Sequence, residues 1–129
     1  EHPAVLLAFG RFAAARAAQL KDEDGAKKLF QQARGLLERS KAKGEDSAVL
    51  HSEMGEVCVK LGDWQQAASS YEEALRMRRR RNDWRRSLGY AYARMGKIRE
   101  AERKYREVLA FSPDDTDAWR GLQEMGKKY

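Results

Sequence analysis

Few side chains in this chain of 129 residues have a type and setting that could do chemistry: the lone thiol of Cys58, the imidazoles of His2 and His51, the adjacent carboxylates Glu72 and Glu73, and a run of arginines between 76 and 86. One cysteine excludes an internal disulfide and any multi-cysteine zinc site. Two histidines are too few for a His-rich metal cluster. No GxSxG, P-loop, GxGxxG or HExxH pattern is present, so neither an activated nucleophile nor a phosphate cradle nor a zinc-hydrolase helix is expected. Glu72 and Glu73 lie among arginines, and the expected use of Glu72 is an i,i+4 pair with Arg76 rather than acid–base work. The reading is therefore of no catalytic residues, no metal and no cofactor.

The arginine run is the strongest charge feature. Arg76, Arg78, Arg79, Arg80, Arg81, Arg85 and Arg86 fall within eleven residues. Such a run is a solvated helix end favoured by the macrodipole, a docking patch for an acidic protein segment, or a surface for nucleic acid or anionic lipid. Trp84 beside it could stack on bases, but a Trp at the start of a repeat helix more often packs. The whole chain carries 26 Lys+Arg against 20 Asp+Glu, a net charge of +6, which suits an acidic partner. With 36% charged residues, however, much of that charge belongs to solvated helix surface.

The elements that hold these residues follow from composition and period. The chain has room for one domain. With 42% apolar residues, 10 Gly and only 2 Pro, it favours helices over a turn-rich β fold. The longest apolar run, 4–9, is far short of the roughly 18 residues of a membrane-spanning helix. The chain opens on Glu1 rather than Met and is read as a segment of a longer protein. Its compartment stays open between cytoplasm and bacterial periplasm.

The chain repeats at a fixed period. Gly55 and Gly89 are 34 residues apart, as are Gly62 and Gly96, Ala67 and Ala101, Tyr71 and Tyr105, Leu75 and Leu109, and Met54 and Leu88. Within each unit the spacing predicts two helices. Leu50, Met54, Val57, Cys58 and Leu61 form one apolar stripe, stopped by Gly62. Asp63 caps the next helix, with Gln66 placed to complete a capping box, and that helix carries Trp64, Ala67, Ala68, Tyr71, Ala74, Leu75 and Met77. The following unit repeats this with Leu88, Ala91, Tyr92 and Met95, a stop at Gly96, then Ile98, Ala101, Tyr105, Val108, Leu109 and Phe111. Pro113 ends it. A last helix starts near Thr116 and runs through Trp119 and Leu122 towards Tyr129. Small residues at 55, 67, 89 and 101 let helix axes approach, while Tyr71, Tyr92 and Tyr105 fill the space beside them. One such pair cannot bury its apolar face alone, so units must stack.

This pattern resembles the tetratricopeptide repeat (TPR), whose 34-residue unit is a stock example of a repeat period. The unit 82–115 carries Leu88, Gly89, Tyr92, Gly96, Ala101, Tyr105 and Pro113 at the positions of the motif. The unit 48–81 carries Met54, Gly55, Gly62, Ala67, Tyr71 and Ala74. Residues 116–129 are a half-repeat or capping helix. Residues 1–47 are a degenerate, extended unit: Phe9, Gly10 and Ala13 fit the first helix and Ala26, Phe30 and Ala33 the second. Gly10 and Ala26 are 16 residues apart where Gly55 and Ala67 are 12, an insertion of one helical turn. A further extension falls in the second helix or near 41–46. The resemblance implies an all-α solenoid of antiparallel hairpins in a right-handed superhelix.

It also implies a binding surface, because first helices line the concave face of such superhelices and usually hold a partner's peptide or helix. Carried over by repeat position, that face has Ser52, Glu53, Glu56 and Lys60, then Asp83, Arg86, Ser87, Tyr90 and Arg94, then Arg120 and Glu124, with Tyr90 as the anchor. By the same register Cys58 is a core thiol and His51 a packing or groove-edge residue. Co-chaperones of the Hsp70/Hsp90 type grip a C-terminal carboxylate with Lys, Asn and Arg. Here those positions hold Ser52, Glu53, Glu56 and Ser87, so no carboxylate clamp is expected. The functional expectation is a non-catalytic scaffold or adaptor that binds another protein, within an assembly such as a secretion, envelope-export or chaperone complex. The alternatives are nucleic acid or an acidic surface on the arginine run, and self-association through the solenoid ends.

Overall fold

Local capping chemistry sets where several of the helices begin or end in the computed structural model, which describes residues 1–128. Tyr129, the end of the 116–129 half-repeat, lies outside the described residues. The helices are α1 (Pro3–Gln19), α2 (Glu23–Ala42), α3 (Ala48–Leu61), α4 (Trp64–Met77), α5 (Asn82–Arg94), α6 (Ile98–Phe111) and α7 (Thr116–Lys128). Among the described residues there is no strand. Side-chain oxygens of Asp22, Ser47, Asp63 and Asp115 accept from the otherwise orphaned first-turn N–H groups of α2, α3, α4 and α7. Gly62 and Gly96 close α3 and α5 at φ 77° and 80°, a left-handed conformation that costs glycine nothing. The predicted capping box is only half formed. Asp63 accepts from the Gln66 N–H at 3.3 Å, but the Gln66 amide turns to the Ser70 hydroxyl instead of reaching back.

Consecutive helices pack on one another, so α1 with α2, α3 with α4 and α5 with α6 are antiparallel hairpins, and α7 closes on α6 and α5. The core runs through the stack as linked clusters: Phe30, Leu37, Leu50 and Val57 in the first, Tyr71, Leu75, Trp84 and Leu88 in the second, Tyr105, Val108, Ala118 and Met125 in the third. The small-against-large pairing is direct. A Cβ added to Gly55 would lie 2.8 Å from the Tyr71 ring, and one added to Gly121 would lie 2.5 Å from the Tyr105 ring. The Tyr71 phenol also lies beside Ser87 on α5. Each tyrosine is thus wedged between a glycine of its own unit and a glycine or serine of the next.

Polar ties cross the unit boundaries. Arg34 of α2 donates to Asp63, the cap of α4, at 2.7 Å, and Arg86 of α5 donates to Asp115, the cap of α7. Within the unit 82–115, Asn82 donates to the Ser112 hydroxyl at 3.0 Å.

The first hairpin departs as its spacing suggests: α1 has 17 residues and α2 has 20, against 13 or 14 in α3 to α6. The extra turn also changes the pairing inside it. Gly10 is seated on Leu37, not on Phe30, and Phe9 is 58% exposed where its expected counterparts Met54 and Leu88 are buried. The expected pair of Glu72 with Arg76 is corrected as well. Arg76 pairs with Glu73, and Glu72 lies beside the Tyr92 phenol across the α4–α5 interface. The 3.6-residue period turns Glu72 towards α5 and leaves Glu73 beside the arginine.

Two helical glycines should respond in opposite directions. Gly55→Ala forces the Tyr71 ring to move and should cost about 1–3 kcal/mol in urea unfolding. Gly35→Ala meets nothing within 4 Å and should gain about 0.5–1 kcal/mol. Cys58 is fully buried, and burial lifts its thiol from 9.0 to about 11. The native thiol should resist a disulfide reagent that labels the unfolded chain at once. An acid lifted in this way binds its proton more tightly in the folded state, so its contribution to stability is whole below the ordinary value of 9.0 and is lost as pH rises towards 11. Melting temperature measured over that range should fall less steeply in Cys58→Ala.

Candidate binding groove

Stacking places α3, α5 and α7 side by side, with α3 resting on Tyr71, and α5 and α7 on Tyr105 from its two sides. Their exposed faces, with Arg11 of α1, enclose an open groove of about 930 Å³. Ser52, Glu53, Glu56 and Lys60 come from α3, Asp83, Arg86, Ser87, Tyr90 and Arg94 from α5, and Arg120 and Glu124 from α7, so every residue chosen by repeat position lines this one cavity. Sequence reasoning missed Arg11, Tyr71, Trp84, Tyr105, Gly121 and Met125, which line it too. The tyrosines show at its floor because the residues above them are small. Arg11 was hidden by the shifted register of the first hairpin.

The groove's charges are largely engaged with one another. Arg11 lies 3.4 Å from Glu53, Arg81 is held by Asp83 at 2.7 Å, and Arg120 is 3.5 Å from Asp117. Arg86 is turned to Asp115. Arg94 lies 4.9 Å over the ring of Trp64, which meets Tyr90 edge to face at 5.5 Å. Tyr90 is nevertheless 44% exposed. Burial and the neighbouring Glu56 raise the Glu53 carboxyl above its ordinary range, against the pull of Arg11. Burial pushes the Tyr105 phenol up to about 12, with Tyr90 adding to the shift.

The arginine run does not form one surface. Arg76 is bound to Glu73 and Arg81 to Asp83, with the Arg81 guanidinium 4.1 Å over Trp84. Trp84 is only 7% exposed, so it packs and does not offer a face for bases. The Arg85 side chain is 13% exposed, 3.6 Å from Glu107 and 5.4 Å over Phe111, because its position faces the second helix of its own hairpin. Arg78, Arg79 and Arg80 make no ion pair among the described residues. His51 lies outside the groove. It is buried, bonded to Asp46 at 2.8 Å, and lines a separate cavity of about 480 Å³ with Glu73. Outside both cavities, Val5, Phe9 and Phe12 leave an apolar strip on α1. Among the described residues no helix is long and apolar enough to cross a membrane, and no group of His, Cys, Asp and Glu is arranged to hold a metal ion.

Family models described as tetratricopeptide repeat match residues 4–80 and 53–116. Among solved structures, the chain is similar to TTC0263, a thermophilic TPR protein of Thermus thermophilus, with 25% identity over 93% of this chain and 61% of that one and a TM-score of 0.71. It is similar to the second TPR domain of human RPAP3, solved in complex with the HSP70 peptide SGPTIEEVD, with 17% identity, 96% and 98% coverage and a TM-score of 0.77. It is also similar to YrrB, described as a TPR protein with an unusual peptide-binding site, with 21% identity, 80% and 56% coverage and a TM-score of 0.72. The chain thus spans about three fifths of the length of the Thermus protein. No curated protein matches it. With the 34-residue period, the hairpin stack and two family models in agreement, this chain belongs to the tetratricopeptide repeat family.

Proposed function

We propose that the chain is a non-catalytic adaptor module that holds a linear segment of another protein in the groove formed by α3, α5 and α7. The observation that carries this reading is the convergence of the repeat-equivalent residues of three helices on one open cavity with a half-exposed tyrosine among them. A cavity of about 930 Å³ is wide enough for a peptide. RPAP3 and YrrB share the fold, the one solved with a bound peptide and the other described by its peptide-binding site. Tyr90, held edge-on by Trp64, offers a pre-oriented aromatic surface of the kind that dominates binding energy. The groove differs from a carboxylate clamp, because Ser52, Glu53, Glu56 and Ser87 stand at the expected clamp positions and two of them repel a carboxylate-rich tail.

The alternatives have less to stand on. Nucleic acid or an acidic surface would have only Arg78, Arg79 and Arg80, since the other arginines of the run are engaged and Trp84 is covered. Self-association would use the strip of Val5, Phe9 and Phe12 on α1.

Tyr90→Ala with Arg94→Ala should weaken a groove-binding peptide at least about tenfold, the scale of a lost aromatic anchor, with the helical circular dichroism unchanged. Arg79→Glu with Arg80→Glu should leave that affinity within about twofold. Equal affinity of the tyrosine variant and the parent would overturn the groove. Binding that vanishes in the arginine variant and falls steeply with salt would transfer the function to the basic loop.

A further inference from the structure

The free charges of the groove say what its occupant should carry. Its cations are mostly paired with carboxylates, Arg11 with Glu53, Arg81 with Asp83, Arg86 with Asp115 and Arg120 with Asp117, while Arg94 is turned onto Trp64 with its charge unneutralised and Lys60 makes no ion pair among the described residues. Its exposed carboxylates are different. Glu56 and Glu124 make no ion pair with any residue of 1–126, although the chain as a whole is basic. They are not scattered. Glu56, Tyr90 and Glu124 are 34 residues apart in succession and occupy the same position on α3, α5 and α7. One row across the groove therefore reads carboxylate, aromatic ring, carboxylate. Glu53 lies one turn before Glu56 on the same side, and its partner Arg11 is an exposed and displaceable cation at 3.4 Å.

We propose that the groove selects a linear peptide segment with a basic side chain for Glu53 and Glu56, an apolar side chain for Tyr90, and a second basic side chain for Glu124. This rests on the groove being the binding surface. Packed helices stand about 8–10 Å apart, so Glu56 and Glu124 are separated by about 16–20 Å, which an extended chain covers in about five or six residues at roughly 3.3 Å each. A cation between Glu56 and Tyr90 meets a carboxylate on one side and an aromatic face on the other, so ion pairing and cation–π attraction act on the same group. A lysine-rich or arginine-rich segment would be drawn past the net positive charge of the protein only by this local row, which makes the preference a sharp test.

The test is selection of a random linear peptide library, displayed on phage and long enough to cross three helices, on the immobilised chain, followed by anisotropy titration of the selected peptides. The expected result is enrichment of paired Lys or Arg flanking an apolar residue at that spacing, with affinity reduced about fivefold in Glu56→Gln and in Glu124→Gln, the size of a lost half-exposed ion pair. Selected peptides that are acidic or neutral, yet lose affinity in Tyr90→Ala, would overturn the charge preference and leave the groove as the site. Selected peptides indifferent to Tyr90→Ala would overturn both. Basic peptides that bind the Gln variants as tightly as the parent would show that Glu56 and Glu124 do not choose the ligand.

Discussion

A tyrosine ring pressed onto a glycine sets the spacing of this molecule. Tyr71 lies against Gly55 and reaches Ser87, and Tyr105 lies between Gly89 and Gly121. The ring lies so close to the neighbouring backbones that an added Cβ would press into it, so the helices beside it carry no side chain, or a very small one, where it rests. That single demand fixes how far apart α3, α5 and α7 stand and which of their faces turn outward. The 34-residue period is the sequence record of the same demand.

The groove is a by-product of this spacing. With a ring supporting them from behind, the three helices present a continuous surface whose side chains are arranged in rows by repeat position. The rows need not be alike, because only the inward positions are constrained by packing. At the position of Glu56 the next helix carries Tyr90 and the one after it Glu124, and at the position of Ser52 the next carries Arg86 and then Arg120. Divergence is free on the wet side and forbidden on the dry side, which is how one fold supports many partners.

Charge is handled locally. A net +6 would suggest a broadly cationic surface, yet most arginines near the groove are matched by a carboxylate or an aromatic ring within reach. Two of these pairs also serve the fold, since Arg34 and Arg86 each bind the aspartate that caps a helix of the next unit. A cap that also accepts a long-range ion pair fixes the entry angle of its helix as well as its start. The long first hairpin is joined to the rest by one of these ties and by the pair of Arg11 with Glu53.

Read alone, the sequence determined the helices, their order, the stop at Gly62 and Gly96, the burial of Cys58 and the repeat positions of the groove residues it named, because all of these depend on contacts that recur with the repeat or lie within one turn of the chain. It misjudged the partner of Arg76, which was decided by which face of α4 meets α5, and left open what depends on neighbours of no fixed spacing: Arg81 covers Trp84, one extra turn seats Gly10 on Leu37, and His51 packs against Asp46 rather than at the groove edge. Only the tertiary structure sorts the groove's charges into engaged and free, because a side chain's partner is chosen by distance in space, and a period along the chain encodes that distance only for the positions that pack.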